Sequence, residues 1–223
     1  MFKTETHLHV AEISPCSKFK APEMVKMYHD KGYKTIVISD HFEKRYFESL
    51  GDISWDDKIT IFLSGYYKAK EAAKEYGINV ILSAEFTILS NDIHNHYLAY
   101  GITREFLNKY PEIYNLSIDK FYEIAKANNI MVVQAHPYRD EYCFPTIEYV
   151  DGIEVYNSNP RHNDYNDKAK ALADENGLYT TAGSDAHRLE DIGNSGILTE
   201  NEIKTIDELV EVIKSGKFEI ITE

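Results

Sequence analysis

Thr35-Ile36-Val37-Ile38-Ser39-Asp40-His41 is an uninterrupted apolar, β-branched run that stops abruptly in polar residues. Such a run reads as a strand buried on both faces, as in parallel sheets covered by helices. The same design recurs along the chain. Asn79-Val80-Ile81-Leu82 ends in Ser83-Ala84-Glu85, and Ile130-Met131-Val132-Val133 ends in Gln134-Ala135-His136-Pro137. Gly152-Ile153-Glu154-Val155-Tyr156 ends at Asn157, and Leu178-Tyr179-Thr180-Thr181 leads into Ala182-Gly183-Ser184-Asp185-Ala186-His187. A first strand over residues 2–10 contains His7 and His9. His96-Tyr97-Leu98-Ala99-Tyr100 forms another strand, with His96 at its start and Gly101 closing it.

Helical spacing fills the gaps. Met24, Val25, Met27 and Tyr28 mark a helix over 21–31, stopped by Gly32. Further helices are expected over 57–76, from the N-cap Ser117 to 128 or 129, over 163–176 and over 207–214. A short strand over 218–221 follows the last of these. Residues 42–59, rich in charge and aromatics, read as a long loop or lid over the site. Alternating strands and helices imply an α/β fold with a parallel sheet and right-handed crossovers, open or closed into a barrel.

The chain has 223 residues, which suits one domain spanning 1–223. Its formal charge of −13 disfavours a long polyanion, so no long nucleic acid is expected as a partner. A small phosphorylated substrate remains compatible, because bound cations reverse the sign locally. Cys16 and Cys143 are far apart and outside any CxxC pair, so neither a disulfide framework nor a zinc knuckle is indicated. Met1-Phe2-Lys3-Thr4-Glu5 leads straight into a polar segment, and no apolar run approaches the roughly 20 residues that cross a bilayer. A cytoplasmic protein without a membrane partner is the expectation.

Polar residues at so many strand ends are the informative regularity. Loops at the carboxyl ends of parallel strands build the sites of α/β folds. His9, His41, Glu85, His136, Asn157, Asp185 and His187 would collect there, with His96 at the rim. His7 and His9 share one face of their strand, because side chains alternate with period two, and can chelate one cation. Asp185-Ala186-His187 repeats that spacing with a carboxylate. Clustered imidazoles without a metal would repel one another on protonation, so satisfied core polars are the weaker explanation.

In order, His7-Leu8-His9, Ser39-Asp40-His41, Glu85, His96, Ala135-His136-Pro137 and Gly183-Ser184-Asp185-Ala186-His187 resemble the motifs of the PHP (polymerase and histidinol phosphatase) family over nearly the whole chain. The resemblance implies a distorted (β/α)7 TIM-like barrel with two to three divalent metal ions, Zn, Fe or Mn. It implies one metal held by His7, His9, Glu85 and Asp185. Glu85 would bridge to a second, also held by His96 and His136. His41 and His187 would hold a third. Many relatives add a His or Asp just after the HxH, where this chain has Val10-Ala11-Glu12-Ile13-Ser14-Pro15-Cys16. Glu12 is the first substitute and Cys16 the second. The family pattern of residues 97–101 favours His96 over His94, which then falls in a loop. His29 reads as a surface residue of a helix, and His162 as either a substrate contact or a solvent-facing side chain.

The expected catalytic set is Glu85, Asp185 and His187 with Arg139. Arg161, Arg188 and Lys44 are further candidates to hold phosphoryl oxygens, each weighed against a plain surface role. The implied activity is hydrolysis of a small phosphate monoester, in the manner of a histidinol-phosphate or nucleotide phosphatase, by water activated at the metals. Two other readings stand beside it: an exonuclease or phosphodiesterase on short oligonucleotides, and a metal-retaining binding module without catalysis.

Overall fold

In the computed structural model, which describes residues 1–90, 93–161, 163 and 165–222 (backbone only at 89, 90 and 93), the expected rhythm of strand and helix is present. The first half runs β1 (Phe2–Leu8), α1 (Ala21–Asp30), β2 (Tyr33–Ile38), β3 (His41–Phe42), α2 (Lys44–Ser49), α3 (Trp55–Phe62), α4 (Ser64–Tyr76) and β4 (Asn79–Leu82). It continues through β5 (Glu85–Ser90), β6 (Ile93–Tyr100), α5 (Arg104–Lys109), α6 (Ile118–Ala127) and β7 (Met131–Gln134). The last part is β8 (Gly152–Asn157), α7 (Asn166–Asn176), β9 (Tyr179–Gly183), β10 (Ser195–Thr199), α8 (Ile206–Ser215) and β11 (Glu219–Thr222).

The described strands make two sheets in place of one parallel sheet, ordered β11-β10-β1-β2-β4 and β3-β5-β6-β7-β8-β9. Pairing is parallel for β1/β2, β2/β4, β3/β5, β7/β8 and β8/β9. It is antiparallel where β6 returns between β5 and β7, because β5 and β6 follow one another as a hairpin with no intervening helix. The strands β10 and β11 are antiparallel as well.

The sheets meet along two seams. On one side Leu8 bridges Ala186, and the Asp185 amide donates to the His7 carbonyl at 3.0 Å. On the other, the Ala99 amide donates to the Ala84 carbonyl at 3.0 Å, and Ser83 Oγ donates to the Ala99 carbonyl at 3.0 Å. Val37, Ile81, Leu98, Val133 and Ile197 from both sheets share one apolar cluster, which Leu209 and Ile213 of α8 join. α1 and α4 cover the first sheet through Met24, Val25, Ala69 and Ala73.

The stretch 42–59 is not a free lid. It folds into α2 and the start of α3, and Phe42, Phe47, Trp55, Phe62 and Tyr114 stack into one aromatic cluster. Burial of that much aromatic surface anchors the segment. The single helix expected over 57–76 is broken at Leu63. Gly65 follows, where a Cβ would lie 2.7 Å from Val10 Cγ2, so the chain passes the loop after β1 too closely for a side chain.

The β1–β9 seam is equally tight. A Cβ on Gly183 would lie 2.4 Å from His7 Cβ and 3.0 Å from Glu154 Oε1. Gly183→Ala is therefore expected to lower the unfolding free energy by about 1–3 kcal/mol in urea denaturation. An unchanged midpoint would mean that β9 slides freely past β1.

Candidate metal centre

The strand ends converge as their sequence pattern implies. His7 is at the end of β1 and His9 just beyond it; His41 opens β3 directly after β2. Glu85 opens β5 after β4, His96 lies in β6, His136 follows β7, and Asp185 and His187 follow β9. His136 and Asp185 have positive φ, 27° and 48°. Side chains avoid that backbone region, and its use at two site residues fits strain held by surrounding structure to aim a functional group.

Glu85 is the hub, and it has no solvent exposure. Its Oε1 lies 2.9 Å from His96 Nδ1, 3.1 Å from His136 Nε2 and 3.5 Å from His7 Nε2. Its Oε2 lies 2.7 Å from His41 Nδ1 and 3.4 Å from His9 Nε2. Asp185 faces the cluster from the other side, with Oδ1 at 3.1 Å from His9 Nε2, 3.6 Å from His7 Nε2 and 3.4 Å from His187 Nδ1.

The charges follow from this crowding. Burial alone would raise both carboxyls, but His96, His41 and His7 hold Glu85 well below the usual range. His7, His9 and His187 do the same for Asp185. Burial opposes a charge on His7, yet Glu154, Asp185 and Glu85 raise it well above an ordinary imidazole. His41 is likewise raised, burial being outweighed by Glu85 and by its hydrogen bond with Cys16. His9 stays well below, through burial and the neighbouring His41. Burial takes His96 down to about 4 against the pull of Glu85.

These residues fit a divalent cation. Among the described residues, four overlapping triads have all their donor atoms within 4.8 Å of one another: His7, His9 and Asp185; His7, Glu85 and His136; His41, Glu85 and His96; His9, His41 and His187. The Nε2 atoms of His7 and His9 face each other at 3.1 Å, an arrangement that needs a proton or a cation between the lone pairs. Glu85 Oε2 is buried and makes no hydrogen bond. Mixed imidazole and carboxylate donors suit Zn, Fe or Mn.

A buried second layer holds the donors in place. His7 Nδ1 donates to Glu154 Oε1 at 2.9 Å, leaving Nε2 directed into the cup. Glu154 Oε2 also accepts from the His136 amide and from Asn157. Asp40 Oδ1 accepts from the Val10 amide and Ser14 Oγ, joining the end of β2 to the loop after β1. Burial moves the Asp40 carboxyl up to about 7. Glu5 is also raised to about 7 by burial, although it accepts hydrogen bonds from the Ser184 hydroxyl and amide, the His7 amide and Tyr28. Nothing in the local sequence pattern marks Glu5 or Asp40 as supports of the site. The available signal for Glu154 was an acid between Ile153 and Val155 in a strand buried on both faces.

Some expected residues sit elsewhere. Glu12, the preferred stand-in for a third-site ligand, points away from the cup. Its Oε2 accepts from the Ala21 amide at the start of α1 (2.9 Å), and its Oε1 is 3.6 Å from Lys68 Nζ. Cys16, the second choice, is beside the cup instead. Burial raises its thiol, but hydrogen bonds with His187 and His41 bring it down to about 6. His94 is exposed and packs on Tyr142, while His96 enters the cluster. His29 is on the outer face of α1, with Asp30 and Tyr76. His162 lies outside the described residues.

The cup opens into a cavity of about 710 Å³ whose wall includes Lys18, Arg45, Arg139, Arg161 and Arg188 beside His41, His96, His136, Asp185 and His187. Lys44 is not among its lining residues and pairs with Glu48 at 3.8 Å, because α2 turns Arg45 and Tyr46 toward the cavity. Arg161 is held by a two-pronged contact with Asp191, at 2.8 and 2.6 Å.

Comparison with known proteins follows from this architecture. The chain is similar over 100% of its length to a two-domain protein of Bacteroides vulgatus containing a predicted PHP-like metal-dependent phosphoesterase (TM-score 0.71, 15% identity), and it spans 65% of that protein. Residues 163–218 match the model of the PHP-associated family PHP_C. The chain shares the fold of that PHP-like protein. Another neighbour in fold is a protein of Bifidobacterium adolescentis named as a metal-dependent phosphoesterase (TM-score 0.57, 18% identity, 96% of each chain). A lesion-specific endonuclease of Pyrococcus furiosus also shares the fold (TM-score 0.62, 17% identity), aligned over 98% of this chain and 57% of its own. No curated protein matches the sequence.

Two outcomes are expected from the cluster described above. Metal ligation requires neutral imidazoles, whereas His7 and His41 are raised and hold protons in the metal-free cluster at neutral pH. Divalent metal uptake should therefore release protons in weakly buffered solution at pH 7 and tighten as pH rises; uptake without proton release would contradict this charge assignment. Glu154→Gln should weaken metal binding by roughly 10–100-fold in a competition titration, by loosening the hold on His7.

Proposed function

We propose that this chain is a metal-dependent phosphoesterase acting on small phosphate monoesters, of the histidinol-phosphate or nucleotide type. The observation that carries the reading is Glu85, contacted by imidazoles through both of its oxygens, with Asp185 facing it across the cluster. A carboxylate so placed suits a bridge between cations. Two or three divalent ions held by His7, His9, His41, Glu85, His96, His136, Asp185 and His187 would supply Lewis-acid stabilisation of phosphoryl oxygens and activation of water.

The chain's own residues supply the rest. Arg139 follows His136 and lines the cavity, its Nε 3.4 Å from Asp140 Oδ2, and its guanidinium can take the non-bridging oxygens of a phosphoryl group. Arg45 and Arg188 add to a cationic rim on a chain of formal charge −13, which draws a small anion to this one cavity. The more exposed imidazoles, His41 and His187, face the side from which substrate enters. The two sheets, with one apolar cluster shared between them, are the halves of a distorted TIM-like barrel in this reading. A cytoplasmic location and a small phosphorylated partner belong to the same proposal. Among the described residues, no helix is long and apolar enough to cross a membrane.

The test is turnover by the metal-loaded chain of p-nitrophenyl phosphate, histidinol phosphate, mononucleotides and short oligonucleotides. Monoester turnover is expected, and Glu85→Gln should lower it by more than about 100-fold together with metal content. Turnover of the oligonucleotides alone would replace the proposal with a phosphodiesterase. Full metal occupancy without any turnover would replace it with a binding module.

A further inference from the structure

The turn after β9 carries Asp185, His187 and Arg188, and residues outside the donor cluster hold it. Asp191 has no solvent exposure. Its Oδ2 accepts from the His187 amide and from the Arg188 amide, each at 2.8 Å. The same carboxylate takes both prongs of Arg161, with Nη1 on Oδ1 at 2.8 Å and Nη2 on Oδ2 at 2.6 Å. Arg161 reaches across from the loop after β8, and that loop supplies a second hold. Asn159 Nδ2 donates to the Asp185 carbonyl at 3.1 Å and to Asp185 Oδ2 at 3.3 Å, while the Arg161 amide donates to Asn159 Oδ1 at 3.2 Å. Asp185 has a φ of 48°, a conformation that persists only when its surroundings impose it. The Asp185 carbonyl, so fixed, accepts from His187 Nδ1 at 2.6 Å, which leaves Nε2 of that ring for the cup.

Arg161 lines the cavity, where an arginine invites a phosphate role. The geometry speaks against it. A phosphoryl group could take this fork only by withdrawing it from Asp191, and a buried carboxylate stripped of its partner is costly. Arg139, by contrast, meets Asp140 through Nε, at 3.4 Å, without a two-pronged hold among the described residues. We propose that Arg161 and Asp191 are a positioning pair that fixes the turn bearing Asp185 and His187 as cation donors, and that Arg161 does not hold the phosphoryl group. This rests on the metal-centre reading and the proposed activity but concerns residues outside the donor cluster. Arg161 keeps Asp191 charged and in place, and Asp191 passes that order to the turn through two backbone amides.

The test is a double-mutant cycle in the full chain, with Arg161→Ala, Asp191→Ala and both together. Arg139→Ala is the reference for an arginine that holds phosphate. Zinc affinity is read by competition with a chromogenic chelator, and inorganic phosphate binding to the zinc-saturated chain by calorimetry. Each single variant should weaken zinc binding by about tenfold or more, and the double variant should stay within about twofold of Asp191→Ala, because the two side chains act as a unit. Inorganic phosphate should bind Arg161→Ala within about threefold of wild type, whereas Arg139→Ala should lose about tenfold or more. With p-nitrophenyl phosphate, Arg161→Ala should lower kcat and leave KM nearly unchanged. Arg161→Lys keeps the charge without the fork and should recover only part of the zinc affinity. A phosphate loss in Arg161→Ala equal to that of Arg139→Ala, with zinc affinity intact, overturns the inference. Additive losses in the double variant overturn the pairing. Where an alanine variant fails to fold, Arg161→Lys carries the same comparison of zinc and phosphate affinities. A wild-type chain that binds zinc but turns over no ester overturns the proposed function, and the zinc and phosphate titrations still decide the pair. A wild-type chain that binds no zinc overturns both.

Discussion

An ionised carboxylate with no access to water is the constraint around which this molecule is arranged. Glu85 cannot be solvated, and an isolated buried charge is too costly to keep. Five imidazoles from four other strand-end segments approach its two oxygens and offset that cost. Each imidazole in turn needs its own position fixed. That requirement explains the positive φ at His136, the carboxylate of Glu154 behind His7, and the absence of a side chain at Gly183. The apolar strands surrounding the cup supply the rigidity, and the polar residues at their ends use it.

A buried ionic cluster of this kind is weak support for stability on its own, because desolvation opposes the attraction between the groups. Its persistence here is better understood through ligand binding. A cation that binds only the folded chain stabilises that chain in proportion to the logarithm of its concentration over its dissociation constant. The same distribution separates two scales of charge. The chain as a whole is acidic, while the mouth of the cup is lined with arginines. The cationic rim of the cup thus stands out against an acidic background.

Much of this was legible because the signal is local. An apolar run that ends in His, Asp or Glu announces both a strand and the direction of its final side chain. HxH and DxH report period-two geometry without knowledge of neighbours. The antiparallel return of β6 was not legible, because His96 to Tyr100 looks the same in either direction. Neither was the contribution of Glu12 against Cys16. Charge favoured Glu12, but the path of the loop after β1 turns Glu12 to the helix start and Cys16 to the imidazoles. The packed helix α2 looks like a loop in sequence because its Phe47 packs against Tyr114, far along the chain. The second-layer acids Glu5 and Glu154 sit inside strands, where only pairing between distant segments shows what they hold.

The β1–β9 seam has a temporal consequence. His7 and His9 are synthesised before Glu85, Glu154 and Asp185, which complete their environment from far along the chain. Until β9 docks against β1, the HxH pair is a bare chelate beside an apolar strand. Completing the centre requires the long loop between β1 and β9 to close, which costs chain entropy. A cation captured too early would be held by two imidazoles alone, free to exchange or to bridge the wrong chain. Closing this seam is what turns a loose two-imidazole chelate into the full donor set.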